Sequence, residues 1–405
     1  MSTAGATQER PKGSAAEVFA AFAKLGLTSF GGPIAHLGYF RDEFVTRRKW
    51  LDEAAYADLV ALCQFLPGPA SSQVGFALGL FRAGPLGAAA AWTAFTLPSA
   101  ALLVAFAYGA SAFAGPSGSA ALHGLKLVAV AVVAQAVIGM ARTLCPDRAR
   151  AGIALLAAIL VSLAASALGQ IAAILAGGIA GLALCRDGST APATALRFPV
   201  SRGAGAALLA LALLLLAGLP LAASALALPG LAHFDAFYRA GALVFGGGHV
   251  VLPLLQAEVV PPGWVTEDAF LAGYGAAQAV PGPLFAFAAY LGAAMSAEPD
   301  RIAGAALCLV ALFLPGLLVL AGALPFWNAF RAMPAAQAAM RGTNAAVVGI
   351  LGAALYEPVF TSAVVDADDF AVALAGLFLL TAVKAPPWLV VLALAGGSVG
   401  LALMG

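Results

Sequence analysis

The chain of 405 residues is 62% apolar and only 10% charged, with a formal net charge of +1. An ordinary soluble domain is about a quarter charged, so this chain has too little polar surface to cover a soluble globule. The near-zero charge, without a basic stripe, argues against a nucleic-acid partner. We therefore predict an all-α polytopic membrane protein whose surroundings are the lipid bilayer.

The chain begins with a polar segment and continues with long apolar stretches. Residues 1–14 are mixed in charge and are predicted to be a cytoplasmic tail. Stretches of 16 or more largely uncharged residues predict nine membrane-spanning helices, at 84–113, 119–144, 150–168, 169–185, 204–229, 302–324, 338–356, 369–384 and 386–404.

Four other apolar stretches are interrupted by glycine and proline. Residues 15–46 and 232–260 contain Gly31-Gly32-Pro33 and Gly246-Gly247-Gly248. Residues 52–82 and 266–296 contain Pro67-Gly68-Pro69 and Pro281-Gly282-Pro283. No helix runs straight through Pro-Gly-Pro, so we predict broken helices. Whether they cross the membrane or re-enter stays open, although Arg47-Arg48-Lys49 favours re-entrant segments with a cytoplasmic connection.

Motifs of the first half recur in order in the second half, at a spacing of 214 to 218 residues. Matching pairs include Phe30-Gly31-Gly32 with Phe245-Gly246-Gly247, Gln64 with Gln278, and Leu97-Pro98 with Leu314-Pro315. We predict an internal duplication. The predicted units are the tail (1–14), a first repeat (15–186), a basic linker with a linking transmembrane helix (187–230) and a second repeat (231–405).

The charges of the connecting segments predict that the second repeat is inverted in the membrane. Four basic residues, Arg41, Arg47, Arg48 and Lys49, follow the first broken segment, where the second repeat has only Glu258. Three arginines, Arg142, Arg148 and Arg150, correspond to acids, Glu357, Asp366, Asp368 and Asp369. Positive charge prefers the cytoplasmic side. Each repeat then has two broken and four spanning helices, and the linking helix supplies the odd crossing.

Inverted repeats with paired broken helices are typical of secondary transporters, whose substrate site lies where the breaks meet. A helix that restarts after a break presents free N–H groups and a positive dipole end to an anion. After Pro67-Gly68-Pro69 come Ala70, Ser71, Ser72 and Gln73, which offer amides and two hydroxyls. No hydroxyl follows Pro281-Gly282-Pro283. We therefore expect closer substrate contact in the first repeat, with Gly31, Gly32, Gly246 and Gly247 at the other breaks.

Two cations occupy matching positions in otherwise apolar helices, Lys24 and Arg239. An ionisable residue inside a membrane suggests function, and two symmetric cations would suit a dianion. The alternative is that each one snorkels from a helix end. His36 and His249 follow the glycine-rich breaks and would either carry protons or serve as polar packing.

Two further matching pairs have open roles. Gln64 and Gln278 precede the Pro-Gly-Pro breaks and would either cap freed backbone or donate to substrate. Glu53 and Glu267 follow Trp50 and Trp264. We interpret them as helix N-termini with tryptophans anchored at the membrane interface, and the alternative is a coupling role as proton carriers. Lys126, which matches Asn344, is a third positive candidate.

The motif set resembles the signature of the chromate ion transporter family. Its parts are Ser29 through His36, Gln64 through Ala70, Val244 through His249 and Ala277 through Pro283. The resemblance covers roughly residues 15–404 and therefore both repeats, as in the long two-domain form of the family. It implies export of chromate from the cytoplasm across the inner (plasma) membrane and chromate resistance, with sulfate as a related ligand.

The remaining functional expectations follow from this picture. No P-loop of the form GxxxxGK[ST] is present, so energy would come from an ion gradient or the membrane potential. A transporter or exchanger of sulfate or another oxyanion is the alternative, because chromate and sulfate are both tetrahedral dianions. We predict no enzyme activity, no catalytic residue, no metal and no cofactor. The coupling ion and the oligomeric state stay open, a homodimer included.

Overall fold

The computed structural model describes residues 13–30, 32–109, 116–164, 167–186, 198–245, 248–295, 300–327 and 333–404. Within these ranges the secondary structure is helical, without a β-strand. The predicted tail up to residue 12, most of the linker (187–197), and Gly31, Gly246 and Gly247 lie outside the described residues.

The first repeat and the linking helix form eight helices. They are α1 (Ala15–Thr28), α2 (Gly32–Phe40), α3 (Glu53–Phe65), α4 (Ala70–Gly109), α5 (Pro116–Leu144), α6 (Arg148–Leu163), α7 (Ala167–Leu184) and α8 (Arg202–Leu226). A π-helical turn, Arg41–Arg47, extends α2.

The second repeat forms a matching series. Its helices are α9 (Pro229–Ala242), α10 (Val251–Val259), α11 (Glu267–Ala277), α12 (Phe287–Met295), α13 (Arg301–Ala323), α14 (Pro334–Ala354), α15 (Ala367–Phe378) and α16 (Pro387–Met404). The π-helical turns Leu355–Phe360 and Leu379–Val383 extend α14 and α15.

Several helices have the length and composition of membrane spans. In the described part of the chain these are Ala70–Gly109, Gly118–Leu144, Arg202–Leu226, Arg301–Phe326 and Pro334–Ala363. Leu168–Leu184 and Pro387–Gly400 are apolar but shorter. The all-α polytopic membrane fold is therefore confirmed. The span predicted at 369–384 corresponds to α15 with its π-helical turn, 367–383, and the span predicted at 150–168 corresponds to the shorter α6. Both stay predictions as membrane spans.

Helix α4 is bent sharply in its middle. Ala83 leaves the helical region and Gly84 has a φ of +70°, which favours glycine. Gly79 and Gly87 then face each other, and a Cβ on either would collide with the other's carbonyl oxygen. The arms 70–82 and 85–109 therefore fold back on each other. This elbow coincides with the predicted boundary between the broken segment 52–82 and the span 84–113.

The start of α3 and that of α11 are as predicted, but the role expected for Trp50 is wrong. The Asp52 carboxylate accepts from the Ala55 amide at 2.8 Å, and the Thr266 hydroxyl accepts from the Ala269 amide at 3.3 Å. Both residues are N-caps. Trp50 is only 1% exposed, so it packs in the protein interior rather than anchoring in the membrane interface.

Small residues bring helices of the two repeats together. Helix α7 packs on α14, and α5 packs on α16 and α11. A Cβ on Gly342 of α14 would collide with the Gly177 carbonyl oxygen and lie 2.6 Å from Gly181 Cα. Close backbone approach of this kind replaces the hydrophobic effect as a source of helix association in a membrane.

We expect Gly342→Ala to destabilise the protein by about 1–3 kcal/mol, because the new methyl group meets backbone that cannot move aside. Gly352→Ala is the matched control on the same helix. A Cβ there meets nothing within 4 Å. The comparison is made by thermal unfolding in detergent. A lower midpoint for both variants would contradict the assignment of this contact.

Candidate functional site

The backbone breaks of the two repeats are hydrogen bonded to each other. The Gly68 amide donates to the Val244 carbonyl at 2.7 Å, and the Gly282 amide donates to the Ser29 carbonyl at 2.9 Å. Val244 and Ser29 occupy matching positions directly before the two Phe-Gly-Gly motifs. Each Pro-Gly-Pro therefore binds the glycine-rich break of the other repeat.

The glycines of the Pro-Gly-Pro motifs also contact the long spans of the opposite repeat. Gly68 has a φ of +120°, and a Cβ there would lie 2.9 Å from Gly316 Cα. Gly282 has a φ of +96°, and a Cβ there would lie 2.8 Å from the Ser99 hydroxyl oxygen. Gly316 and Ser99 follow the matching prolines of α13 and α4. All of these contacts meet at one crossing point between the repeats.

Gln73 fixes this crossing point from the first turn of α4. Its side chain is fully buried, and Nε2 donates to the carbonyl oxygens of Pro67 and Gly316, each at 2.8 Å. The two carbonyl acceptors determine the orientation of the amide, since Oε1 cannot face them. Gln73 therefore ties the first Pro-Gly-Pro to the second repeat.

Buried polar side chains of the first repeat surround this point. We call them the polar cluster: Ser29, His36, Ser71, Ser72, Gln73 and Thr96. The His36 Nδ1 lies 3.4 Å from the Ser71 hydroxyl oxygen, and the His36 ring packs edge-on against Phe95, with centroids 5.2 Å apart.

Five polar atoms of the cluster have no hydrogen-bond partner among the described residues. They are Ser29 Oγ, His36 Nε2, Ser72 Oγ, Gln73 Oε1 and Thr96 Oγ1. An unsatisfied buried polar atom costs about 1–3 kcal/mol, so such a concentration calls for a ligand or water.

The N-terminus of α4 adds backbone donors to the polar cluster. The first hydrogen bond along this helix runs from the Gln73 amide to the Pro69 carbonyl at 2.9 Å. The amides of Ala70, Ser71 and Ser72 come before it and have no acceptor within the helix. Together with the hydroxyls they form a helix end of the type that suits an anion, and its first turn contains no acidic residue.

The second repeat has apolar residues wherever the first repeat has the polar cluster. The matching positions are Val244, Val251, Phe285, Ala286, Phe287 and Phe313, all buried. His249 is satisfied differently, because its Nδ1 lies 2.7 Å from the hydroxyl oxygen of buried Tyr274. The crossing point is therefore polar on one side and closed by aromatic rings on the other.

The two predicted cations have different surroundings. Arg239 bonds Asp235 at 3.0 Å and Glu258 at 2.9 Å, all within the second repeat. Lys24 is exposed on α1. Two equivalent cations for a dianion stay a prediction, and the described contacts do not bring the pair together.

The other predicted residues divide between the crossing point and the surface. Pro67, Gly68, Pro69, Pro281, Gly282 and Pro283 form the breaks, and Gly32 begins α2. Gln64 is exposed, and Gln278 donates to the Tyr274 carbonyl at 3.4 Å. Glu53 pairs with Arg41 at 2.7 Å, and Glu267 accepts from the Ser362 hydroxyl at 2.7 Å. Both glutamates therefore make contacts away from the breaks.

Sequence reasoning missed the side chains of Ser29, Gln73, Thr96 and Ser99, and the partner Gly316. One signal could have found three of them. Ser29, Gln73 and Thr96 are polar where their counterparts in the other repeat are apolar. Identities between the repeats locate the breaks, whereas the candidate site side chains are concentrated among the differences between the repeats.

Comparison with known proteins identifies the family. The chromate transporter family model matches residues 16–182 and again 231–401. The chain belongs to the chromate transporter family. Each match contains one Pro-Gly-Pro of the crossing point, so the duplication found in this transporter is a duplication of the family's own unit.

Curated relatives of the transporter cover most of its length. It is 30% identical over 353 residues to the chromate transport protein of Pseudomonas aeruginosa, covering 85% of this chain and 80% of that one. It is 29% identical to the probable chromate transport protein of Synechococcus elongatus, covering 82% of each chain. The chromate transport protein of Cupriavidus metallidurans is 26% identical, with 87% and 84% covered. No solved structure matches the chain.

Proposed function

We propose that this protein is a secondary transporter that exports chromate across the cytoplasmic membrane. The observation that carries the proposal is the polar cluster at the crossing of the four breaks. Hydroxyls, helix amides and an imidazole suit a tetrahedral oxyanion, and relatives of similar length are named chromate transport proteins. The membrane potential would favour export of a dianion by roughly 4.6 kcal/mol per 100 mV.

Sulfate is the second candidate substrate, and the composition of the polar cluster favours it as a competitor. The cluster contains hydroxyl, amide and imidazole groups but no carboxylate. Without a charged proton acceptor, it would distinguish oxyanions only by their shape and charge. We expect chromate and sulfate to compete for it.

The test of function uses inside-out membrane vesicles and labelled chromate. Saturable uptake that excess sulfate inhibits supports an oxyanion site. The control is vesicles of cells that lack the protein. The absence of uptake under every imposed pH gradient and potential would refute the exporter, whatever the fold.

We further propose that the first pair of broken helices is re-entrant. Arg82 at the elbow of α4 bonds Glu17 at the start of α1 at 3.0 Å, and Arg48 lies 3.9 Å from the same carboxylate. The guanidinium groups of Arg48 and Arg82 lie 5.9 and 5.2 Å from the Trp50 ring centroid. The start, the middle connection and the end of the pair therefore cluster at one face, which we assign to the cytoplasm with the N-terminus.

Contacts between the repeats favour an inverted second repeat. Lys126 in the third turn of α5 pairs with Asp268 in the first turn of α11, at 2.9 Å. The arm 85–109 of α4 separates the start of α5 from the face at which α3 begins. A parallel second repeat would begin α11 at the face of α3, toward which α5 runs, whereas Lys126 lies in the half of α5 nearer the opposite face. Inversion brings the two residues to the same outer face.

We expect cysteines introduced by Arg148→Cys and Asp368→Cys to lie on opposite faces of the membrane. Both positions are exposed, and they follow α5 and α14, which match each other. In a background with the four native cysteines replaced by alanine, an impermeant maleimide labels Asp368→Cys in intact cells. Arg148→Cys is labelled only after the membrane is opened. Equal labelling of both in intact cells would refute the inversion.

A further inference from the structure

A cavity of about 740 Å³ lies between the repeats, apart from the polar cluster. We call it the outer cavity, because the proposed topology places its walls at the external face. Its lining includes His123 and Lys126 of α5, Asp268 of α11, Asp368 and Asp369 of α15, and Ser398 of α16. The first repeat contributes both basic groups, and the second contributes the carboxylates.

Lys126 and Asp268 join the two repeats inside this cavity. The two side chains differ sharply in exposure, since Lys126 is 13% exposed and Asp268 is 77% exposed. The lysine is therefore mostly enclosed by the protein, whereas its partner carboxylate faces solvent. Lys126 Nζ also lies 3.4 Å from the Ser362 carbonyl oxygen, which fixes the lysine further.

The other charged groups of the outer cavity are used by the structure. Asp369 Oδ1 lies 2.7 Å from His123 Nε2, and Asp369 Oδ2 accepts from the Val365 amide at 3.0 Å. Asp366 is the N-cap of α15 and accepts from the Asp369 amide. Asp368 is exposed at the rim. Lys126 is thus the cation whose partner is most easily displaced.

Two observations connect Lys126 with a ligand and with the crossing point. The Ser398 hydroxyl lines the cavity, is 7% exposed as a residue, and has no hydrogen-bond partner among the described residues. Leu125, next to Lys126, contacts Gly275 of α11. A Cβ on Gly275 would collide with the carbonyl oxygen of Leu125. Helix α11 leads directly into Pro281-Gly282-Pro283.

We propose that Lys126 is the outer subsite for the exported oxyanion, and that Asp268 is its resident counter-ion. The oxyanion arriving from the crossing point displaces Asp268, binds Lys126 and the Ser398 hydroxyl, and leaves when the carboxylate returns. Competition from the Asp268 carboxylate for Lys126 keeps the external affinity low. This inference rests on the proposed transport of oxyanions.

The experiment measures efflux of labelled chromate from proteoliposomes in which the protein is oriented outside-out, with sulfate added externally as inhibitor. Asp268→Asn leaves Lys126 without its competitor, so external sulfate should inhibit at a concentration about five- to tenfold lower. Asp368→Asn is the matched control. It removes a carboxylate from the same cavity without unpairing Lys126, and we expect a change below about twofold, because solvent screens exposed charges.

Two lysine variants complete the test. Lys126→Gln should abolish inhibition by external sulfate and lower the maximal efflux rate, while leaving the KM for internal chromate unchanged. Lys126→Arg should retain both the inhibition by external sulfate and the maximal efflux rate. Thermal unfolding in detergent verifies that each variant is folded. Equal effects of Asp268→Asn and Asp368→Asn, with wild-type efflux intact, would overturn the subsite. Absence of wild-type efflux would instead overturn the proposed function.

Discussion

Ser72→Ala is expected to lower the affinity for transported chromate by about 10- to 100-fold while leaving the fold intact. The Ser72 hydroxyl is buried and has no partner among the described residues, so its removal breaks no hydrogen bond of the protein that the structure contains. A hydrogen bond to a charged ligand contributes about 1.5–3 kcal/mol, and each 1.4 kcal/mol is tenfold in affinity. Replacement of a side chain that bonds only the ligand thus lowers the affinity without lowering the stability of the fold.

The measurement is the KM for labelled chromate in inside-out vesicles, together with the unfolding midpoint of the purified protein. Ala286→Ser is the matched control, because residue 286 occupies the corresponding position of the second repeat. It should leave the KM within about twofold, since the proposed site binds the substrate on the polar side of the crossing point and not on the aromatic side. An unchanged KM in Ser72→Ala would remove this hydroxyl from the site, and equal losses in both variants would contradict a one-sided site.

Much of the fold could be predicted from the sequence, because the decisive signals are local. Proline lacks an amide proton and glycine tolerates positive φ, so Pro67-Gly68-Pro69 had to interrupt a helix. The elbow at Gly84 follows from the same chemistry. Apolar length then predicts a membrane protein. Trp50 shows the limit of such reasoning, since tertiary packing buries a residue whose place just before a helix start predicted an anchor at the membrane interface.

The candidate site was only partly predictable, because its contacts join residues far apart in the sequence. Ser71 and Ser72 could be chosen from their place after a break. The amide of Gln73 could not be assigned to the Gly316 carbonyl, which lies 243 residues away. Lys24 and Arg239 looked equivalent by position, yet among the described residues carboxylates pair with Arg239, through Asp235 and Glu258, and not with Lys24. The position of a residue in a repeat can be read from the sequence, whereas its charge pairing depends on which side chains lie next to it in the folded protein.

The second large effect is expected from Gly282→Ala, which should nearly abolish transport and destabilise the protein by about 2–6 kcal/mol. Two costs add. The φ of +96° is unfavourable for alanine, by about 1–3 kcal/mol, and the new Cβ would lie 2.8 Å from the Ser99 hydroxyl oxygen. Overpacking of this kind costs about 1–3 kcal/mol more. The break would shift away from α4, and the hydrogen bond from the Gly282 amide to the Ser29 carbonyl would lengthen.

Ser99→Gly should rescue part of this loss, because it removes the side chain that the new methyl group meets. The second repeat already has glycine at the matching position, Gly316, where Gly68 makes its own close approach. In a double-mutant cycle of transport rate and unfolding midpoint, we expect a coupling of about 1–2 kcal/mol between the two substitutions. The strain from the positive φ of residue 282 would persist, so the rescue would be partial. Strictly additive effects would mean that Gly282 does not press against Ser99, and that the two repeats are not joined through this contact.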